Sequence, residues 1–346
     1  MLTTSKITPE ELYERLKNIK VGGNICQFSR EKCEEITPLV NEINALKAEK
    51  NAVILAHSYV GAEIVYGVSD HIGDSYKLSK DAMASKADII VFAAVRFMGE
   101  TAQILNPQKK VLIPGPLDGC TLADAIDGDQ VRALRKEFPE HTFVCYINTT
   151  ADVKAECDVC VTSSNVYDIV ETIENEKIYF LPDMLMGQNL ENEMKRRNVK
   201  KEIKYFSGTC YVHEEYDVED LQKIRLEYPE AKVVSHPECN TDVCDNSDYV
   251  GSTEQMLQYM RTTDAKQFLM LTECGLSARL QTEFPEKSLV GSCTLCKYMK
   301  SNTLEHIKRV LTDPQPKDYV NIDEDVRLRA QRCINMMFHY VDQSKK

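Results

Sequence analysis

The chain has 346 residues, with 42 Lys+Arg against 54 Asp+Glu, a net charge of −12 and 13 cysteines. With 43% hydrophobic and 28% charged residues it has the balance of a folded globular protein, long enough for two or three domains, and not that of a disordered chain. The acidic excess argues against a nucleic-acid backbone as main partner, and no apolar run reaches the roughly 18–20 residues that span a membrane.

The first residues, MLTTSKITPEELYERL, hold no apolar core of an export signal. Cysteine is too sparse for a disulfide scaffold. A cytoplasmic, reducing location is therefore expected, with thiols buried, catalytic or metal-bound rather than paired. In chain order, residues 1–46 are predicted as an N-terminal helical segment. Thr8 and Glu11 form a capping box, Pro9 takes the first helical position, and Leu12, Leu16 and Ile19 follow at helical spacing. From residue 47, short apolar runs alternate with helical stretches, the pattern of βα units on a parallel sheet.

Three units recur, predicted as α/β modules over 47–125, 126–212 and 213–297, with C-terminal helices over 298–346 packing on the core. The first runs through NAVILAH, KADIIVFAAVRF, KKVLIPG and LDGC. The second runs through HTFVCYIN, ECDVCVTSSN, EKIYFLPD and FSGTC, the third through AKVVSHPE, NSDYVGST, KQFLMLTE and VGSC-TLC. Each shows three strand-like runs and closes on Gly followed by Cys: Cys120, Cys210, then Cys293 or Cys296. The spacing is 90 residues (210 − 120), then 83 or 86 (293 or 296 − 210). Self-similarity at this period predicts an α/β fold of three homologous α/β/α modules with parallel sheets.

Polar residues keep register as well. First strands end at His57, at Tyr146 and Asn148, and at His236 and Glu238. Second runs end near Phe97, at Ser163 and Ser164, and at Ser252 and Thr253. Ligands of open parallel sheets bind at the carboxyl ends of strands. Three modules around a pseudo-threefold axis would direct these residues, and the terminal cysteines, into one cavity.

Three thiolates from distant segments suit an iron–sulfur cluster or a zinc site. With three cysteines on a 4Fe-4S cluster, one iron keeps an open position for substrate. Cys157-x-x-Cys160 and Cys293-x-x-Cys296 resemble zinc pairs but stand far apart, and Cys157 and Cys160 flank a strand-like run. Cys26, Cys33, Cys145, Cys274 and Cys333 read as small core hydrophobes. The phosphate-binding G-x-x-x-x-G-K-[ST], the dinucleotide G-x-G-x-x-G and H-E-x-x-H are absent.

VRFMGETAQIL (Val95 to Leu105), DGCTLAD around Cys120, YINTTADVKA, VTSSN, FLPD-x-x-x-G-x-N, SGTCYVHEE, HPEC with GST, TECGL and C-x-YMK-x-NTLE run in the order of one family. Over roughly residues 50–310 the chain resembles the quinolinate synthases. The resemblance implies condensation of iminoaspartate with dihydroxyacetone phosphate to quinolinate, phosphate and water, in de novo NAD biosynthesis. It also implies one 4Fe-4S cluster held by Cys120, Cys210 and Cys296, the last chosen by its place before x-Tyr-Met-Lys. Family substrate contacts carry over to His57, Ser75, Tyr146, Ile147, Asn148, Ser163, His236, Pro237, Glu238 and Thr253. Tyr59 matches an active-site tyrosine. Glu238 is the expected base, Tyr59 and Tyr146 the proton donors, and His236 a further acid–base group. An aspartate oxidase or dehydrogenase is the implied supplier of iminoaspartate. The chain departs from the family pattern at Ser58, Glu254 and Lys297. A different class, a non-catalytic zinc- or iron–sulfur-binding sensor or scaffold, fits the cysteine pattern alone.

Overall fold

The computed structural model describes residues 6–20 and 27–344; Cys26 lies outside them. The N-terminal helix forms over Pro9–Leu16 with the Thr8–Glu11 capping box, and buries Leu12 and Leu16. A second helix, Arg30–Glu49, packs on it.

Twelve strands follow, in three sheets. The first holds β1 (Ala52–His57), β2 (His71–Gly73), β3 (Ile89–Ala93) and β4 (Lys110–Leu112). The second holds β5 (Thr142–Tyr146), β6 (Val159–Val161), β7 (Lys177–Leu181) and β8 (Glu202–Tyr205). The third holds β9 (Lys232–Ser235), β10 (Tyr249–Val250), β11 (Gln267–Leu271) and β12 (Ser288–Val290). All pairings within the sheets are parallel. The orders are β2-β1-β3-β4, β6-β5-β7-β8 and β10-β9-β11-β12, one topology three times. Helices cover the sheets, so the central strands are mostly buried and apolar, and all six residues of β1 are buried. This is the triplicated α/β architecture read from the repeat.

Each sheet has four strands, however, where the sequence showed three apolar runs. In the first module the overlooked strand is β2, the tripeptide HIG, too short and too polar at its flanks to register as a run. The omission shifted the alignment. The counterpart of Ser163 and Thr253 is not Phe97, which follows β3, but Ser75, which follows β2.

Two large apolar clusters hold the molecule together. One joins the first and third modules with the helix Leu304–Thr312. The other fills the second module and takes in the C-terminal helix Glu324–Gln343. Among the described residues no helix is long and apolar enough to cross a membrane.

Candidate active site

The strand ends of all three modules open on one cavity. Every substrate and cysteine residue singled out in the sequence lines it except Pro237. Pro237 contributes its carbonyl to a hydrogen bond from Asn189 Nδ2 at 2.9 Å. The helix starts after the second strands present one hydroxyl each, Ser75, Ser163 and Thr253. Thr253 is 2% exposed and its Oγ1 has no partner, a hydroxyl left free for a ligand.

The three cysteines share a local design. Cys210 caps the short helix Tyr211–Glu214 and Cys296 caps Lys297–Lys300, while Cys120 opens a turn. The backbone N–H groups of the following turn draw each thiol down: Leu122 and Ala123 at Cys120, Val212 and His213 at Cys210, Tyr298 and Met299 at Cys296. Burial still pushes all three thiols up, Cys120 to about 12, so a bound metal is what would draw them to thiolates. Gly291, at φ 77°, turns the chain out of β12 toward Cys296. Cys293 is paired with Cys274 in a disulfide. The pairing corrects the expectation of unpaired cysteines: the backbone bond from Cys274 N to Thr294 O lays the two segments side by side.

The three cysteine sulfurs are not gathered as a single ion would hold them. The group whose ligand atoms lie within 4.8 Å of one another is Cys210, His213 and Glu238, not the three cysteines. A single zinc, with bonds of about 2.3 Å, would gather its sulfurs to about 3.8 Å. The nitrogen and carboxylate of the tight group are already spent on each other and on neighbours.

Those neighbours form a chain of hydrogen bonds across the cavity. Tyr146 OH donates to Glu238 Oε1 at 2.6 Å, and Glu238 Oε2 meets His213 Nδ1 at 2.9 Å. His213 Nε2 meets Thr272 Oγ1 at 3.0 Å, which meets Tyr59 OH at 2.7 Å. His213 stacks on His236, ring centroids 4.6 Å apart. Burial pulls the Glu238 carboxyl up, but His213 and His236 and the hydrogen bonds from His213 and Tyr146 outweigh it and hold it below the usual carboxylate range. Burial and the nearby Glu238 charge keep Tyr59 and Tyr146 far above theirs, as phenols. His57 and His236 are pushed down to about 3 by burial. Their Nδ1 atoms accept the N–H of Tyr59 at 3.2 Å and of Glu238 at 3.4 Å, so each proton sits on Nε2.

His213 and Thr272 were not singled out in the sequence, although both stand in the family-like strings. The signal was available: Thr272 directly follows β11, and His213 stands three residues after Cys210 on a helical turn. Of the departures, Ser58 and Glu254 are both bound by Arg279, at 3.0 and 2.6 Å. Lys297 sits over the rings of Tyr298 and Tyr211.

A protein-family model described as "NadA: Quinolinate synthetase A protein" matches residues 41–339. The chain is 43% identical over 311 residues to the quinolinate synthase of Aquifex aeolicus, covering 88% of this chain and 94% of that one. It is 41% identical over 303 residues to that of Alkaliphilus metalliredigens, covering 87% and 98%.

Proposed function

The chain belongs to the quinolinate synthetase A family, and from that premise we propose that it is a cytoplasmic transferase condensing iminoaspartate with dihydroxyacetone phosphate to quinolinate, phosphate and two waters. The observation that carries this reading is the hydrogen-bonded chain from Tyr146 to Tyr59 in the cavity that also holds the three cysteines. Loss of two waters and a phosphate requires protons to leave carbon and nitrogen and to reach departing oxygens. Glu238 is the ionised acceptor, and Tyr146 and Tyr59 are phenols held to donate. His213 and Thr272 let a proton given up at one tyrosine be restored from the other end.

The remaining wall binds and orients. The Nε2–H groups of His57 and His236, the Asn148 amide and the hydroxyls of Ser75, Ser163 and Thr253 suit carboxylate and phosphate oxygens. Cys120, Cys210 and Cys296 would hold a 4Fe-4S cluster, which supplies Lewis acidity at the iron without a protein ligand. An aspartate oxidase or dehydrogenase is proposed as the source of iminoaspartate.

The test is anaerobic turnover of the iron-reconstituted protein with dihydroxyacetone phosphate and iminoaspartate generated in place. Quinolinate and phosphate should appear in equal amounts. A protein with a full iron complement that makes neither overturns the reading and leaves the sensor or scaffold.

A further inference from the structure

Among the described residues the cavity wall carries no lysine or arginine; its ionisable carboxyls are Asp74, Glu238 and Glu273. A wall of this kind repels dicarboxylates and phosphates unless positive charge stands behind it. The turns after the three first strands are each tied from behind by a side-chain donor. Lys300 Nζ donates to Tyr59 O at 2.5 Å, and Asn189 Nδ2 to the carbonyls of Pro237 and Cys239, both at 2.9 Å. Lys154 Nζ donates to Ile147 O at 2.8 Å, to Thr149 O, and to Thr149 Oγ1 at 3.2 Å, so it brackets Asn148.

The three ties are not equivalent. Asn189 is neutral, and the charge of Lys300 is met by Glu273 at 3.0 Å. Lys154 is 0% exposed. Its three donors go to three neutral oxygens, and among the described residues no carboxylate pairs with it. Glu100 feels its charge, but Glu100 Oε2 is turned to the N–H of Ala151 at 2.8 Å. Lys154 Nζ lies 5.7 Å from the centroid of the Phe97 ring, and Phe97, Ile147 and Asn148 all line the cavity. One layer of residues separates the ammonium from the ligand space. A clamp needs donors, not charge, and buried ions are often replaceable by apolar residues without loss of stability.

We infer that Lys154 is a positioning residue that also supplies the attraction for anionic ligand groups at the Asn148 side of the cavity. The inference rests on the anionic substrates proposed above. The experiment is equilibrium binding to anaerobically reconstituted protein. The probes are pyridine-2,3-dicarboxylate, its uncharged diamide and inorganic phosphate. Lys154→Met removes both clamp and charge; Lys154→Gln keeps a donor and removes the charge, so it serves if the first variant does not fold. Lys154→Gln should weaken the dicarboxylate roughly tenfold or more, a Coulombic effect one layer away, and leave the diamide within about threefold of wild type. Equal binding of the dicarboxylate, or equal weakening of both organic probes, overturns the inference. Wild-type protein that ignores the dicarboxylate overturns the substrate reading instead. The inference then stands if phosphate binding shows the same loss in Lys154→Gln and falls if it does not.

Discussion

Two groups of cysteines occupy opposite settings in this molecule. Cys120, Cys210 and Cys296 are half-buried at the closing ends of three modules and face one cavity. Cys145, Cys157, Cys160 and Cys333 lie together in the interior of the second module, with Cys145 Sγ 3.6 Å from Cys333 Sγ and the other two beside it. The second group contains the C-x-x-C spacing that attracts a metal reading, and it is packed core. The first is spread over three modules, and only Cys296 stands in a C-x-x-C, with Cys293. What separates the groups is place: the first stands at strand ends lining the cavity, the second inside one module. Burial pushes the thiols of Cys157, Cys160 and Cys333 up among one another. Convergence of strand ends, not proximity in the chain, brings the first three cysteines to one cavity.

The largest expected effect is on iron. Cys120→Ser, Cys210→Ser and Cys296→Ser should each abolish cluster binding, read as loss of the brown colour and of protein-bound iron. Next comes the proton chain. Glu238→Gln and His213→Leu should retain iron and lower kcat by about 10²–10⁴, the usual span of a lost acid–base group. Unchanged turnover in either would remove that residue from the relay.

Acid should act on the cavity before the thiol core. Folding pushes His57 and His236 down from 6.5 to about 3. Between those values the unfolded chain binds more protons than the native one. This contribution is therefore complete above pH 6.5 and declines as pH falls, by about 1.4 kcal/mol per pH unit for each histidine. Glu238, held low in the fold, adds to the loss below its unfolded value of 4.5. Denaturant titrations of cluster-free protein from pH 7.5 to 5 should show this slope, and His236→Gln should reduce it. A flat profile would mean that the histidines are not held neutral.

Smaller effects sharpen the contrast between the two cysteine groups. Cys157→Ala and Cys160→Ala should cost about 1–2 kcal/mol of stability through lost core packing, with iron content unchanged. Cys293→Ser should change iron content least, because its sulfur is engaged with Cys274.

Much of this was legible in the sequence, for a physical reason. Buried parallel strands must be apolar on both faces, so β1, β3, β5, β7, β9 and β11 announced themselves, and with them the triplication. Edge strands carry less of that constraint. β2 is three residues long and β8 reads EIKY with alternating exposure, and neither stood out. Losing β2 displaced the first module's hydroxyl from Ser75 to Phe97 in the repeat register, while the motif resemblance still pointed to Ser75. The cysteines were separable only through position in the repeat and that resemblance. His213 acts through Glu238 and Thr272, 25 and 59 residues away, Thr272 also through Tyr59, 213 residues away, and Lys154 from behind the wall. Spacing within a sequence carries no mark of either.

The account turns on which thiols hold the metal. Iron and sulfide should be counted in anaerobically reconstituted wild type, in the Cys157→Ser/Cys160→Ser double variant, and in Cys296→Ser. About four irons per chain in the first two and none firmly bound in the third is the expected result. A double variant without iron, or a Cys296→Ser protein that keeps its full complement, would contradict it.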